Sequence, residues 1–124
     1  MAVTGIKSCA NFTNATVTLK LFDGWAGEPK HSAQVAPNDT VGIDWWVPWA
    51  DDQGEFPGKH IQLEVPGTTY WIYQHNMDGE GDYVRYSTDG VWHQWGAQVP
   101  GVAAVGGNRL IEVYPNGFRI EYSG

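Results

Sequence analysis

The sequence is nearly devoid of cysteine, since Cys9 is the only one among its 124 residues. A single thiol cannot form an intrachain disulfide, so the fold must be held by its hydrophobic core and its hydrogen bonds. Cys9 lies in a run that predicts the first β-strand. We expect it to be a buried structural thiol, because free cysteine is among the most frequently buried residue types.

Basic residues are also scarce. Seven Lys and Arg stand against fourteen Asp and Glu, which gives a formal net charge of −7. The basic residues are scattered, whereas binding to the phosphates of nucleic acid needs clustered Lys and Arg. Attraction to anionic lipid is disfavoured for the same reason. The charge therefore argues against a nucleic-acid partner and favours an uncharged one, a glycan or a neutral lipid head group.

Long apolar runs are missing from the chain. No stretch approaches the ~20 apolar residues that a membrane-spanning helix needs. Residues 1–7 lack the charged and apolar regions of a secretory signal, so none is expected. The length suits one domain and no linker divides it, so we expect residues 1–124 to form a single domain. The sequence leaves the cellular location undetermined.

Helical periodicity is absent as well, and sixteen glycines and seven prolines weaken any helix assignment. The dominant period is two residues, which is typical of half-buried strands. In the segment 15–22, for example, Val17, Leu19 and Leu21 alternate with polar side chains. Turn sequences with Asn-Gly, Asp-Gly or Pro-Gly separate such segments from one another.

Strands this short and this regularly spaced are typical of a sandwich or a small barrel. We predict an all-β fold, an antiparallel β-sandwich of about nine or ten short strands, with a small β-barrel as the alternative. Two long loops, 48–59 and 96–107, interrupt the spacing, and loops of this length are often functional. The predicted strands cover residues 3–10, 15–22, 40–47, 60–65, 68–75, 82–87, 90–95, 108–114 and 117–122.

What the sequence has in excess is tryptophan, with seven residues. Trp45, Trp46 and Trp49 fall within five positions, and Trp92 and Trp95 lie three apart. Because a strand alternates its faces, the adjacent Trp45 and Trp46 must point to opposite sides. A buried indole N–H also needs a hydrogen-bond partner. We therefore expect part of this aromatic surface to face solvent and to be available to a ligand.

Polar side chains accompany the aromatic ones in three segments, 49–53, 71–75 and 92–95. An aromatic ring can cover the C–H face of a sugar while polar side chains bind its hydroxyl groups. If the second and third segments are neighbouring strands, their rings form one platform. The candidate ligand-binding residues are Trp49, Asp51, Asp52, Trp71, Tyr73, His75, Trp92, Gln94 and Trp95.

Metal and catalytic signals are weak. The four histidines show no pair at a metal-binding interval, and no cofactor is expected. Asp78, Glu80 and Asp82 alternate with glycine, a spacing that Ca²⁺ can use. An acidic hairpin loop is the favoured interpretation of this segment, and calcium binding is left open. No nucleophile and base form a known motif, so we expect a protein without catalytic residues that is not an enzyme.

The favoured hypothesis is a non-enzymatic, lectin-like carbohydrate-binding domain. The alternative is a membrane-lipid-binding protein or a component of a pore-forming toxin, because tryptophan favours the bilayer interface. In its bulk properties, being small, acidic, tryptophan-rich and all-β, the chain resembles the aegerolysins, which are lipid-binding cytolysin subunits. That resemblance implies a lipid ligand and assigns no residue a role. A third hypothesis is a self-assembling structural protein and hence a homo-oligomer, since exposed aromatic patches also suit subunit interfaces.

Overall fold

The computed structural model describes residues 4–24, 27–74, 84–94, 96–101 and 107–122, which build a β-sandwich. It confirms the predicted all-β class, and the two sheets do not close into a barrel in this part of the chain. In chain order the elements are β1 (Thr4–Asn11), β2 (Val17–Asp23), β3 (His31–Val35), β4 (Thr40–Trp46), the 3-10 helix η1 (Phe56–Gly58), β5 (Lys59–Val65), β6 (Thr68–Gln74), β7 (Val84–Ser87), β8 (Ala97–Gln98), β9 (Gly107–Tyr114) and β10 (Gly117–Tyr122).

The first sheet has four strands in the order β10-β9-β1-β4, and the second has six in the order β3-β2-β5-β6-β7-β8. Neighbouring strands are antiparallel, as predicted, except for the parallel pair β1 and β9. Parallel neighbours need a long connection, and here the chain passes through β2 to β8 before it returns as β9. Local alternation carries no information on such distant pairing, so the sequence did not indicate it.

The main core lies between the two sheets and follows from the alternation in the sequence. Val17, Leu19 and Leu21 of β2 point into it and are buried. Cys9 is buried in the same core, as expected. Burial raises the pKa of its thiol to about 12, so the thiol stays protonated and acts as a small apolar side chain.

The adjacent tryptophans of β4 diverge as the alternation predicted. Trp45 is 7% exposed in the core, and Trp46 is 62% exposed on the opposite side. Beside them β4 forms a bulge against β1. Asp44 in this bulge has a left-handed backbone conformation (φ 58°), and its carboxylate binds the ammonium group of Lys7 at 2.5 Å. The charged bulge interrupts the free edge of β4, which discourages edge-to-edge pairing.

Three strand predictions differ from the structure. The strand predicted for 90–95 does not form over its described residues, 90–94, because their backbone groups bind side chains: Asp89 accepts the Val91 N–H (3.0 Å) and Gln53 accepts the Trp92 N–H (2.7 Å). The strands β3 and β8 were not predicted. Both are short edge strands. In β3 the alternation covers only two apolar positions, Ala33 and Val35, which pack in the main core, and the two residues of β8 are both exposed. In the described residues, no helix is long and apolar enough to span a bilayer.

The outer face of the six-stranded sheet is only half covered. Residues 47–58 and 88–94 fold over the half that carries His60 and Tyr73, and both side chains are buried. Among the residues that the structure describes, none folds over the half that carries Lys20 and Glu64, and these side chains are 35% and 34% exposed. We call residues 47–58 and 88–94 the wall, and the uncovered half of this sheet face the open floor. The candidate site lies where the wall and the floor meet.

Candidate functional site

A second, smaller core lies on the outer face of the six-stranded sheet. We call it the outer cluster: Ala50, Phe56 and Tyr73 are buried in it, and Trp71 and Trp92 pack against them while remaining partly exposed. The rings of Phe56 and Tyr73 meet edge to face with their centroids 5.2 Å apart. The predicted association of Trp71, Tyr73 and Trp92 therefore occurs, although residues 91–93 are not a strand.

Hydrogen bonds attach the two loops of the wall to each other and to β6. The indole N–H of Trp92 donates to the carbonyl of Ala50 (2.8 Å), and the Trp92 backbone N–H donates to Oε1 of Gln53 (2.7 Å). The hydroxyl of Tyr73 donates to the carbonyl of His93 (2.5 Å). Tyr73 has no exposed surface, so it supports the wall from beneath and offers a ligand no ring face.

His60 is stacked between two phenylalanine rings at the margin of the outer cluster. Its ring lies 4.7 Å from that of Phe22 and 5.3 Å from that of Phe56, centroid to centroid. Its Nδ1 is 2.9 Å from the carbonyl oxygen of Phe56, which makes Nδ1 the protonated nitrogen of the neutral ring. Burial lowers the pKa of His60, so a neutral His60 connects η1 to β5.

The open floor consists of two rows of side chains that cross the strands. The first is the Trp71 row, in which each residue pairs with the next one on the adjacent strand. The second, the Glu64 row, lies next to it on the same face. The Trp71 row is Ser32, Lys20, Gln62, Trp71 and Ser87, and the Glu64 row is Gln34, Thr18, Glu64 and Thr69.

A small polar network joins the two rows. The ammonium group of Lys20 lies 3.3 Å from Oε1 of Glu64, and the amide of Gln62 donates to the same oxygen at 3.2 Å. Gln62 is also the neighbour of Trp71 across the strands. A half-exposed indole is thus bordered by an amide and an ion pair, the combination of apolar face and polar groups that a sugar requires.

Trp71 is held in place by the loop above it. A Cβ atom added at Gly90 would lie 3.3 Å from the indole ring, and Gly90 has a left-handed backbone conformation (φ +73°). Both facts favour glycine at this position. The loop therefore lies in contact with the ring and limits its movement on that side, which favours binding because a ligand then has less side-chain entropy to overcome.

The remaining predicted site residues are distributed as follows. Asp51, Asp52 and Gln94 are exposed on the wall, and the carboxylate of Asp52 accepts the backbone N–H of Glu55 (2.8 Å). Trp49 belongs to another surface. His75 and Trp95 lie outside the described residues, and so does the acidic segment 78–82.

A polar cavity of about 400 Å³ opens between the wall and β8. Ser87, Asp89 and His93 all line it, and the ring of His93 binds the Asp89 carboxylate at 2.9 Å. A backbone N–H of Val91 and the His93 ring both lower the pKa of Asp89. The Ser87 hydroxyl is buried and has no hydrogen-bond partner among the described residues, so none of them contacts it as the base that activates a nucleophile.

A separate apolar cavity of about 410 Å³ contains Trp46, which is 62% exposed. Trp46 and Trp49 line it together with Val47, Pro48 and Asp23. We call it the Trp46 cavity. Trp46 is among the most exposed large apolar side chains in the described residues, and such patches mark surfaces that meet a lipid or a protein.

The sequence missed Lys20, Gln62 and Glu64 as floor residues. Their polarity and their outward positions on predicted strands are visible in the sequence, but the order of β2, β5 and β6 across the sheet is not. In the described residues no three His, Cys, Asp or Glu side chains form a group that could hold a metal ion. Comparison with protein-family models, with curated proteins and with solved structures finds no match for this chain.

Proposed function

We propose that the protein is a non-enzymatic carbohydrate-binding domain whose ligand lies on the open floor against Trp71. The observation that supports this most directly is the position of that indole. It is partly exposed on a rigid sheet, is fixed by Gly90, and is flanked by Gln62 and the Lys20–Glu64 pair. Trp92, with Gln53 and the exposed Asp51, adds a second partly exposed ring and polar groups on the adjoining wall.

The first experiment is a glycan array, followed by calorimetric titration of the glycans that bind. Replacing Trp71 with alanine removes the ring face, and we expect binding to weaken about tenfold or more. The matched control is Trp46→Ala, which removes an exposed tryptophan that belongs to neither row of the floor and should leave glycan affinity unchanged. A folded protein that binds no glycan on the array would refute the proposal.

A membrane-lipid-binding role is the second candidate, and the Trp46 cavity favours it. An exposed indole beside a second tryptophan and a proline suits the bilayer interface, where the ring is apolar and its N–H stays hydrated. The net charge of −7 makes an uncharged or zwitterionic bilayer the expected partner. This candidate also agrees with the resemblance in bulk properties to the aegerolysins.

The two candidates predict opposite results for the same two variants. Co-sedimentation with phosphatidylcholine or sphingomyelin vesicles should fall for Trp46→Ala and persist for Trp71→Ala if lipid is the ligand. Light scattering at two protein concentrations identifies the third outcome, in which the Trp46 cavity joins two copies of the chain: the mass then rises with concentration, and Trp46→Ala abolishes the rise.

A further inference from the structure

We propose that the open floor takes a linear, uncharged polysaccharide chain that lies across the strands, from Trp71 towards β3, alongside the wall. The inference rests on the proposed carbohydrate-binding function and specifies its ligand class. It also assigns Lys20, Gln62 and Glu64 as binding residues, which the sequence pattern alone does not single out.

The shape of the floor favours a chain over a single terminal sugar. The Trp71 row crosses five neighbouring strands, from Ser32 on β3 to Ser87 on β7. Ser87 is buried, so the accessible part of the row runs from Trp71 to Ser32, and its three intervals between adjacent strands span about 14 Å. Ser32 is exposed and Lys20 is partly exposed, so the row is open at the β3 end, which is the free edge of the sheet. A ligand can therefore extend past the edge.

The charge of the floor favours an uncharged ligand. Among the nine residues of the two rows only Lys20 and Glu64 are ionised, and they neutralise each other at 3.3 Å. The other polar members are hydroxyl and amide side chains. The chain as a whole carries −7, which repels a polyanionic glycan over longer distances. Hydroxyl groups are the ligand chemistry that fits such a surface.

The polar network presents groups to sugar hydroxyls. Lys20 and Gln62 both donate to the same oxygen of Glu64, Oε1. The second oxygen, Oε2, can therefore accept a hydrogen bond from a ligand hydroxyl. The amide of Gln62, next to Trp71, already contacts Glu64 and His60, so it borders the ring and orients Glu64. One sugar unit would stack on Trp71, and the next unit would bind Glu64 in the neighbouring row, so that the chain follows the boundary between the two rows.

The test is calorimetric titration with the hexaoses of β-1,4-glucose, β-1,4-xylose, β-1,4-mannose and β-1,3-glucose, each compared with its monosaccharide. We expect at least one hexaose to bind about tenfold or more tightly than its monosaccharide. Glu64→Gln and Gln62→Ala should each weaken that hexaose about three- to tenfold. Glu112→Gln is the matched control, because Glu112 lies on the other sheet and accepts a tyrosine hydroxyl (3.2 Å).

Thermal unfolding of each variant separates lost binding from lost folding. Equal affinity for hexaose and monosaccharide, or full hexaose affinity in both floor variants, overturns the extended site. Tighter binding of a polyanionic oligosaccharide such as hexagalacturonate overturns the uncharged ligand class. If every hexaose fails while the array yields another glycan that needs Trp71, this inference is wrong and the proposed function stands. If the array also yields nothing, both are wrong.

Discussion

Replacing Phe56 with alanine tests whether the outer cluster is a second core of the domain or only a cover over the sheet. The Phe56 ring is 1% exposed, packs edge to face on Tyr73 and stacks on His60. Burial of a phenyl group is worth about 1.5–3 kcal/mol, and the contact with Tyr73 adds about 0.5–1.5 kcal/mol. With the cavity that remains, we expect Phe56→Ala to lower the free energy of unfolding by about 3–5 kcal/mol.

The matched control is Phe12→Ala. Phe12 also stacks on a tyrosine, Tyr114, at 5.2 Å, but it is 48% exposed. We expect this variant to lose about 1 kcal/mol or less. Urea denaturation followed by circular dichroism measures both. Equal losses in the two variants, each near 1 kcal/mol, would show that the outer cluster contributes no more than a surface contact and would refute the reasoning.

Three further predictions concern single groups. Because burial lowers the pKa of His60 below its ordinary value of 6.5, the unfolded state binds more protons between the two pKa values. Stability should therefore be full above pH 6.5 and fall as the pH drops towards the folded-state pKa. Urea titrations at about pH 7.5 and about pH 5.5 measure the loss, and an unchanged loss in His60→Gln would contradict it. Gly90→Ala should cost about 1–2 kcal/mol in backbone strain and shift the emission of Trp71. Gly67→Ala is the control, because it has the same backbone strain (φ +81°) but no atom within 4 Å of the new Cβ. An identical emission change in both variants would contradict a direct effect of residue 90 on the Trp71 ring. Cys9, with its pKa raised to about 12, should resist iodoacetamide at neutral pH until urea unfolds the protein, and rapid labelling of the folded state would show that the thiol is accessible.

The fold could be predicted from the sequence because local signals decide it. Alternation in β2 and the turn at Asn116 fix strands and hairpins between neighbours in the chain, and the structure has them where expected. The edge strand β3 escaped because its alternation covers only two apolar positions, Ala33 and Val35, and β8 escaped because its two residues are both exposed. The pairing of β1 with β9 escaped because it joins segments about 100 residues apart.

The candidate site was predicted less completely, and for a different reason. Trp71 and Trp92 do lie together, but the prediction made their proximity depend on neighbouring strands, and the described residues 90–94 form a loop instead. Whether a ring is exposed depends on what covers it, and the sequence does not state this. Tyr73 alternates with Ile72 like any outward residue, yet the wall buries it. The floor residues depend on the order of three strands, which is a property of the sheet alone.

The partial cover of the outer face is the feature that makes it the candidate site. A fully bare sheet face would present rings and polar groups without a boundary, and a fully covered face would present none. Here the aromatic side chains that hold the wall down, Phe56 and Tyr73, are the buried members of the outer cluster, and Trp71 stands at the boundary between wall and floor. The same apolar contacts that stabilise the loops thus fix the one ring that the floor exposes. Weakening the outer cluster should therefore impair ligand binding even where the substituted residue does not touch the ligand.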